Sequence, residues 1–139
     1  MGKAPTLAVV RRDYGAEIAR KWLVIEVGDF NNFIGVSEER KMPLEVMKGL
    51  ADMIMTRYYY LKLSEVMLFF MRLKYGDYGE MYGSVDAVRI LSAMRKFITQ
   101  RNAVIVQEEQ RERERLLSES MKNAISREEY DRRHKKETD

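Results

Sequence analysis

Between residues 14 and 34, Ala19, Leu23, Val27, Phe30 and Ile34 recur at spacings of four, four, three and four, the rhythm of one helix face. The pattern predicts a first helix. Within it, Trp22-Leu-Val-Ile-Glu-Val27 is a β-branched run ending at Gly28 that would also suit a strand, and the longer periodicity decides for helix. Gly35, then Ser37, Glu38 and Glu39, read as a stop and a polar connection. Pro43 suits the first turn of the next helix, where Met47, Leu50, Ala51, Ile54 and Tyr58 make a clean stripe to about Tyr59. Ser64 is a suitable N-cap for a third helix, with Glu65 in its first turn. Val66-Met-Leu-Phe-Phe-Met71 and Leu73 are apolar nearly all round, which places that helix at the centre of the fold.

Tyr75-Gly-Asp-Tyr-Gly-Glu-Met-Tyr-Gly83 holds three Tyr-Gly pairs in nine residues and reads as a loop. Ser84 is placed to cap a fourth helix, with Asp86 near its positive end and Ala87, Leu91, Met94 and Ile98 on one face. The stripe extends to Ile105, interrupted at Arg101, and after Gln107 gives way to Glu-Glu-Gln-Arg-Glu-Arg-Glu-Arg. A helix continued there would be exposed and easily frayed, held by Glu/Arg pairs three or four apart at about 0.2–0.5 kcal/mol each. Leu117, Met121 and Ala124 or Ile125 form a brief amphipathic patch near the end.

Charge divides the chain at the same place. Residues 1–106 hold 16 Lys/Arg and 12 Asp/Glu, a balance of +4, while residues 107–139 hold 9 and 10, a balance of −1, with 19 charged side chains in 33 positions. The expected organisation is an all-α fold, a single compact helical domain of about four helices over residues 1–106, with a charged helical or disordered extension over 107–139. A mildly basic body permits nucleic-acid contact without diagnosing it. Zero cysteines exclude a disulfide framework, a thiol nucleophile and a thiolate zinc site. The longest apolar run is six residues, Val66 to Met71, against the roughly 20 a bilayer needs, so the expectation is a cytoplasmic protein with no membrane partner.

Candidate catalytic chemistry is thin. His134, the one histidine, lies in Asp131-Arg-Arg-His-Lys-Lys136, where a metal would need other ligands held around it, and reads as a solvated tail residue. Glu38-Glu39 and Glu108-Glu109 sit in polar segments and read as solvated. Ser64 and Ser84 have no histidine base nearby in sequence and no nucleophile-elbow pattern; capping accounts for both. Gly76, Gly79 and Gly83 match neither a Walker A loop nor the dinucleotide fingerprint. No catalytic residue, metal site or cofactor is expected. The most suggestive surface combines Tyr75, Tyr78 and Tyr82 with Lys62, Arg72, Lys74 and Arg89, because aromatic faces stack on bases while cations hold phosphates. The competing reading is packing, with tyrosines laid over backbone that glycine leaves bare. The ten methionines suit an adaptable partner-binding groove, although Met47, Met67 and Met94 fall on the expected core stripes.

Tyr58-Tyr-Tyr-Leu-Lys-Leu-Ser-Glu65, Leu68-Phe-Phe-Met-Arg-Leu-Lys-Tyr-Gly-Asp-Tyr-Gly79, Met81-Tyr-Gly-Ser-Val-Asp86 and Phe97-Ile-Thr-Gln-Arg101 resemble a family of small uncharacterised proteins of Bacteroidota and their phages and mobile elements. The likeness spans about residues 20–105, and the long charged tail departs from it. A weaker likeness is to the helical N-terminal domains of phage helicase loaders. It implies a non-enzymatic replication adaptor that binds a replicative helicase or initiator. The alternative is a direct nucleic-acid binder acting through the Tyr-Gly loop and its neighbouring Lys/Arg. Salt-sensitive affinity would mark the second and salt-tolerant binding through an apolar groove the first.

Overall fold

The computed structural model describes residues 3–35, 37–79 and 85–138, and among them the structure is all-α: five α-helices and one 3-10 turn. Helix α1, Leu7–Tyr14, was not foreseen from the periodicity. Its stripe is only two residues deep, Leu7 and Val10, both buried. Thr6 starts it, with its Oγ1 accepting from the Val9 N–H at 3.2 Å, which satisfies one of the orphan donors of a helix N-terminus. Non-local bonds then fasten it to the chain between the third and fourth helices. Leu7 N–H donates to Leu61 O (2.8 Å), Ala8 N–H to Tyr59 O (2.9 Å) and Leu63 N–H to Pro5 O (2.9 Å), around a single antiparallel bridge of Thr6 with Lys62. Gly15, at φ 95°, makes the corner into α2 in a backbone conformation that a side chain would strain.

Helix α2, Ala16–Phe33, buries Ala19, Leu23, Val27 and Phe30 of the stripe expected for the first helix, while Ile34, its fifth member, is the half-buried C-cap, and Trp22-Leu-Val-Ile-Glu-Val27 lies inside α2 as helix. It packs against α1, α3 and α4. After it come the 3-10 turn Glu38–Arg40 and α3, Leu44–Arg57, with Pro43 at the N-cap and Leu50, Ala51, Ile54 and Met55 buried. The buried Asn31 side chain joins α2 to the start of α3: its Nδ2 donates to Met42 O and its Oδ1 accepts from Met42 N–H, both at 3.1 Å.

Helix α4, Leu63–Lys74, begins one residue before the expected Ser64. Lys62 occupies the N-cap because its backbone is held in extended form by the bridge to Thr6, and its N–H donates to Glu65 Oε1 at 3.1 Å. Ser64 therefore falls inside the helix, where its Oγ is buried without a hydrogen-bond partner. The expectation of a helix enclosed on all sides is also corrected. Val66, Phe69, Phe70 and Leu73 are buried, yet Met67 and Met71 lie on the open side at 53% and 52% exposure. Helix α2, with three helical neighbours, takes the more central place.

Helix α5 spans Ala87–Thr138. The chain divides into two compact units, Met1–Phe97 and Ile98–Asp139, a boundary that precedes the change of composition at Gln107. In the first unit Ile90, Ala93, Met94 and Phe97 of α5 are buried. Phe69 links this turn of α5 to α4, with ring centroids 5.6 Å from Phe97 and 5.0 Å from Phe70, which in turn lies 6.4 Å from Phe30 of α2. Such tilted and edge-on pairs add about 0.5–1.5 kcal/mol each beyond burial. In the second unit every described side chain from Val106 onward is exposed, and the helix carries its own ion pairs, Arg115 with Glu112 and with Glu119 (3.4 Å), and Arg132 with Glu128 (3.9 Å).

Candidate binding surfaces

The side chains singled out from the sequence distribute over several environments. Lys62 is the N-cap of α4, and Lys74 ends that helix about 18 Å further along its axis. Arg72 and Lys74, two residues apart, turn to different neighbours. The Arg72 guanidinium lies over the Phe97 ring, 5.7 Å from its centroid, while Lys74 Nζ pairs with the Asp29 carboxylate and stands 5.4 Å from the Phe33 ring centroid. Tyr78 is half-buried against Phe69, with ring centroids 5.8 Å apart, so Arg72 and Tyr78 share the Phe69–Phe97 neighbourhood. Tyr75 is 77% exposed at the C-cap of α4, and Arg89 is exposed on the first turns of α5. Tyr82 and Ser84 lie outside the described residues.

Two grooves in the first unit were not anticipated. The first, about 520 Å³, lies between the second half of α3 and the opening of α5. Met53, Thr56, Val88 and Leu91 line it, and Arg57 and Arg95 supply cations. Met53 and Val88 are 55% and 69% exposed and line the same groove from two different helices. Asp52, at one edge, is held by Arg20 Nε at 2.8 Å. That bond and its charge raise the Arg20 guanidinium above its ordinary pKa.

The second groove, about 450 Å³, is lined by Ala8, Arg11, Arg12, Met55, Thr56 and Tyr59, and so meets the first at Thr56. Arg12 Nε pairs with Asp13 Oδ1 at 2.9 Å; the hydrogen bond lowers the Asp13 carboxyl below the usual carboxylate range. No local pattern announces this assembly, since Arg11 and Tyr59 are 48 positions apart and their segments are brought together by long-range backbone bonds around the Thr6–Lys62 bridge. The available signals were the Arg11-Arg12 pair and the Tyr58-Tyr59-Tyr60 run, read separately. Elsewhere Glu26 is pushed above its ordinary pKa by burial, then by the nearby Asp29, with Lys74 opposing. Among the described residues no three His, Cys, Asp or Glu side chains group as metal ligands, and no helix is long and apolar enough to cross a membrane.

The profile of a family of unknown function, DUF6633, matches residues 41–139, which hold α3, α4 and α5 and therefore both sides of the first groove. The chain belongs to the DUF6633 family. No curated protein and no solved structure matches it. Within the DUF6633 match lie Met53, Arg57, Val88 and Arg95; Arg11 and Arg12 of the second groove precede it.

Proposed function

We propose that this protein is a non-enzymatic adaptor whose α3–α5 groove holds an amphipathic helix of a partner protein. The observation that carries the reading is the groove itself: an apolar floor with exposed Met53 and Val88, and guanidinium groups of Arg57 and Arg95 at its lining. An apolar centre edged by polar groups is the usual anatomy of a protein-binding surface, and methionine adapts to partners of differing shape. The two arginines favour a helix that flanks its apolar residues with Asp or Glu. The likeness to phage helicase loaders supplies the partner class, a replicative helicase or initiator.

The test compares tagged wild-type protein with Val88→Asp in pull-downs from cells carrying its native element, after nuclease treatment and a high-salt wash. Val88 is exposed, so the substitution leaves the fold intact while placing a carboxylate in the floor. The expected result is a helicase or initiator recovered by wild type and reduced about 30-fold or more with Val88→Asp. Equal recovery by both proteins would remove the groove from the reading. Recovery of nucleic acid alone, lost in salt, would replace the adaptor by a direct binder.

A further inference from the structure

From the second groove we infer a binding site for single-stranded nucleic acid, in which Arg11 and Arg12 hold backbone phosphate and the Tyr59 ring carries a base. The inference starts from a different groove, whose Arg11, Arg12 and Tyr59 the adaptor reading does not use, while Thr56 is common to both grooves. Three structural elements contribute: α1 with two guanidinium groups, the last turn of α3 with the Thr56 hydroxyl, and the chain after α3 with the Tyr59 ring. The hydroxyl adds a hydrogen-bond donor for a phosphate oxygen. Tyr59 is 56% exposed, and the Tyr60 ring stands nearly perpendicular to it, with centroids 5.6 Å apart and an interplanar angle of 86°, a contact that limits the ring's freedom while more than half of the residue stays open to solvent.

The frame is preorganised. Ala8 N–H donates to Tyr59 O, and Leu7, fully buried, anchors α1 one turn before the arginines, so guanidinium groups and ring are set on one bonded scaffold. A cation pair beside an exposed aromatic face is the pattern that tracks a single strand without reading its sequence, phosphates on the charges and bases on the rings. At Thr56 this groove meets the one that holds Arg57 and Arg95, so the cationic lining continues past one nucleotide unit, as a polyanion requires and a lone phosphate does not.

Arginines in the last turn of α1 also offset the helix dipole. That role accounts for their position along the helix but not for Tyr59 and Thr56 beside them. Asp13 is the competitor within the site, since its carboxylate occupies Arg12 Nε and Nη2.

Fluorescence anisotropy of the full chain with a labelled oligothymidylate tests the inference, with thymidine monophosphate and inorganic phosphate as competitors. Expected is saturable binding whose log affinity falls with log salt by about 0.7 per phosphate contacted. Arg11→Gln should weaken binding about fivefold or more, against less than twofold for Lys21→Gln, an exposed control of the same charge change on α2. Tyr59→Ala should lose about fivefold or more and Tyr59→Phe should retain wild-type affinity, because stacking needs the ring and not the hydroxyl. Asp13→Asn should tighten binding by releasing Arg12. Unchanged thermal midpoints of Arg11→Gln and Tyr59→Ala, the two variants expected to lose affinity, separate lost binding from lost fold. Displacement of the oligonucleotide by thymidine monophosphate at matching concentration would overturn the single strand in favour of a free nucleotide. Wild-type affinity in Arg11→Gln and Tyr59→Ala, or no binding at low salt, would overturn the site.

Discussion

Replacing Asn31 by Ala should be among the most damaging single substitutions in the first unit. Asn31 is 4% exposed and makes paired hydrogen bonds to the N–H and the C=O of Met42, each at 3.1 Å, with a third, weak contact of Nδ2 to Met47 Sδ at 3.6 Å. Removing the amide takes two buried bonds away and leaves two Met42 backbone groups with no partner, each costing about 1–3 kcal/mol. The expected loss is about 3 kcal/mol, a large share of the roughly 5–15 kcal/mol that holds a domain together. Equilibrium urea unfolding followed by the single tryptophan, Trp22, measures it as a lower midpoint at unchanged slope. Asn31→Asp refines the argument. A carboxylate accepts from Met42 N–H but repels Met42 O, so burial and that carbonyl raise the folded pKa above the unfolded value near 3.9. A raised folded pKa means the variant is most stable below about pH 4 and loses stability as pH rises through the folded value. A loss under about 1 kcal/mol for Asn31→Ala, or a flat pH profile for Asn31→Asp relative to wild type, would refute the assignment of Asn31 as the tie between α2 and α3.

Three further outcomes are expected. Glu26→Gln should stabilise the protein at neutral pH, where the raised Glu26 carboxyl is charged at a cost, and the advantage should vanish below the ordinary value of 4.5; paired thermal melts across pH read it. Tyr78→Ala should lower the thermal midpoint by several degrees through lost contact with Phe69, whereas Tyr75→Ala, at a 77% exposed side chain, should leave it within about a degree. Removing residues 107–139 should leave the unfolding free energy of the first unit, measured in urea, within about 0.5 kcal/mol while lowering the helical circular-dichroism signal, and in the full chain added salt should reduce that tail signal by screening pairs such as Glu112–Arg115.

The helices that the sequence disclosed are those whose stripes are long: Ala19, Leu23, Val27 and Phe30 of α2, and Leu50, Ala51 and Ile54 of α3, are all buried. Their period is local, and so is the physics that reads it. Helix α1 escaped because two apolar positions make no period and its support comes from Tyr59 and Leu61, some fifty positions away. The same long-range pairing moved the α4 start from Ser64 to Leu63 and turned a cap into a buried hydroxyl. The apolar run of α4 looked enclosed because hydropathy does not say which side has a neighbour, and Met67 and Met71 are exposed among the described residues. For the candidate surface, residue types were informative and placement was not. Arg72 and Lys74 are close in sequence yet engage Phe97 and Asp29, whereas Arg11 and Tyr59 are distant yet line one groove.

The bridge between residues 5–8 and 59–63 also sets an order of events during synthesis. An eight-residue segment is too short to hold a helix alone, and its backbone partners are added last among the residues it needs. At about 5–20 residues per second, roughly three to ten seconds separate the synthesis of Leu7 from that of Leu61. Closing a loop of about fifty residues then costs about 3–4 kcal/mol of chain entropy beyond a constant, so the bonds of α1 to Tyr59 and Leu61 form later than its packing on the neighbouring α2. By the same token, amide exchange at Leu7 and Ala8 should report an opening that the amides of α2 do not share.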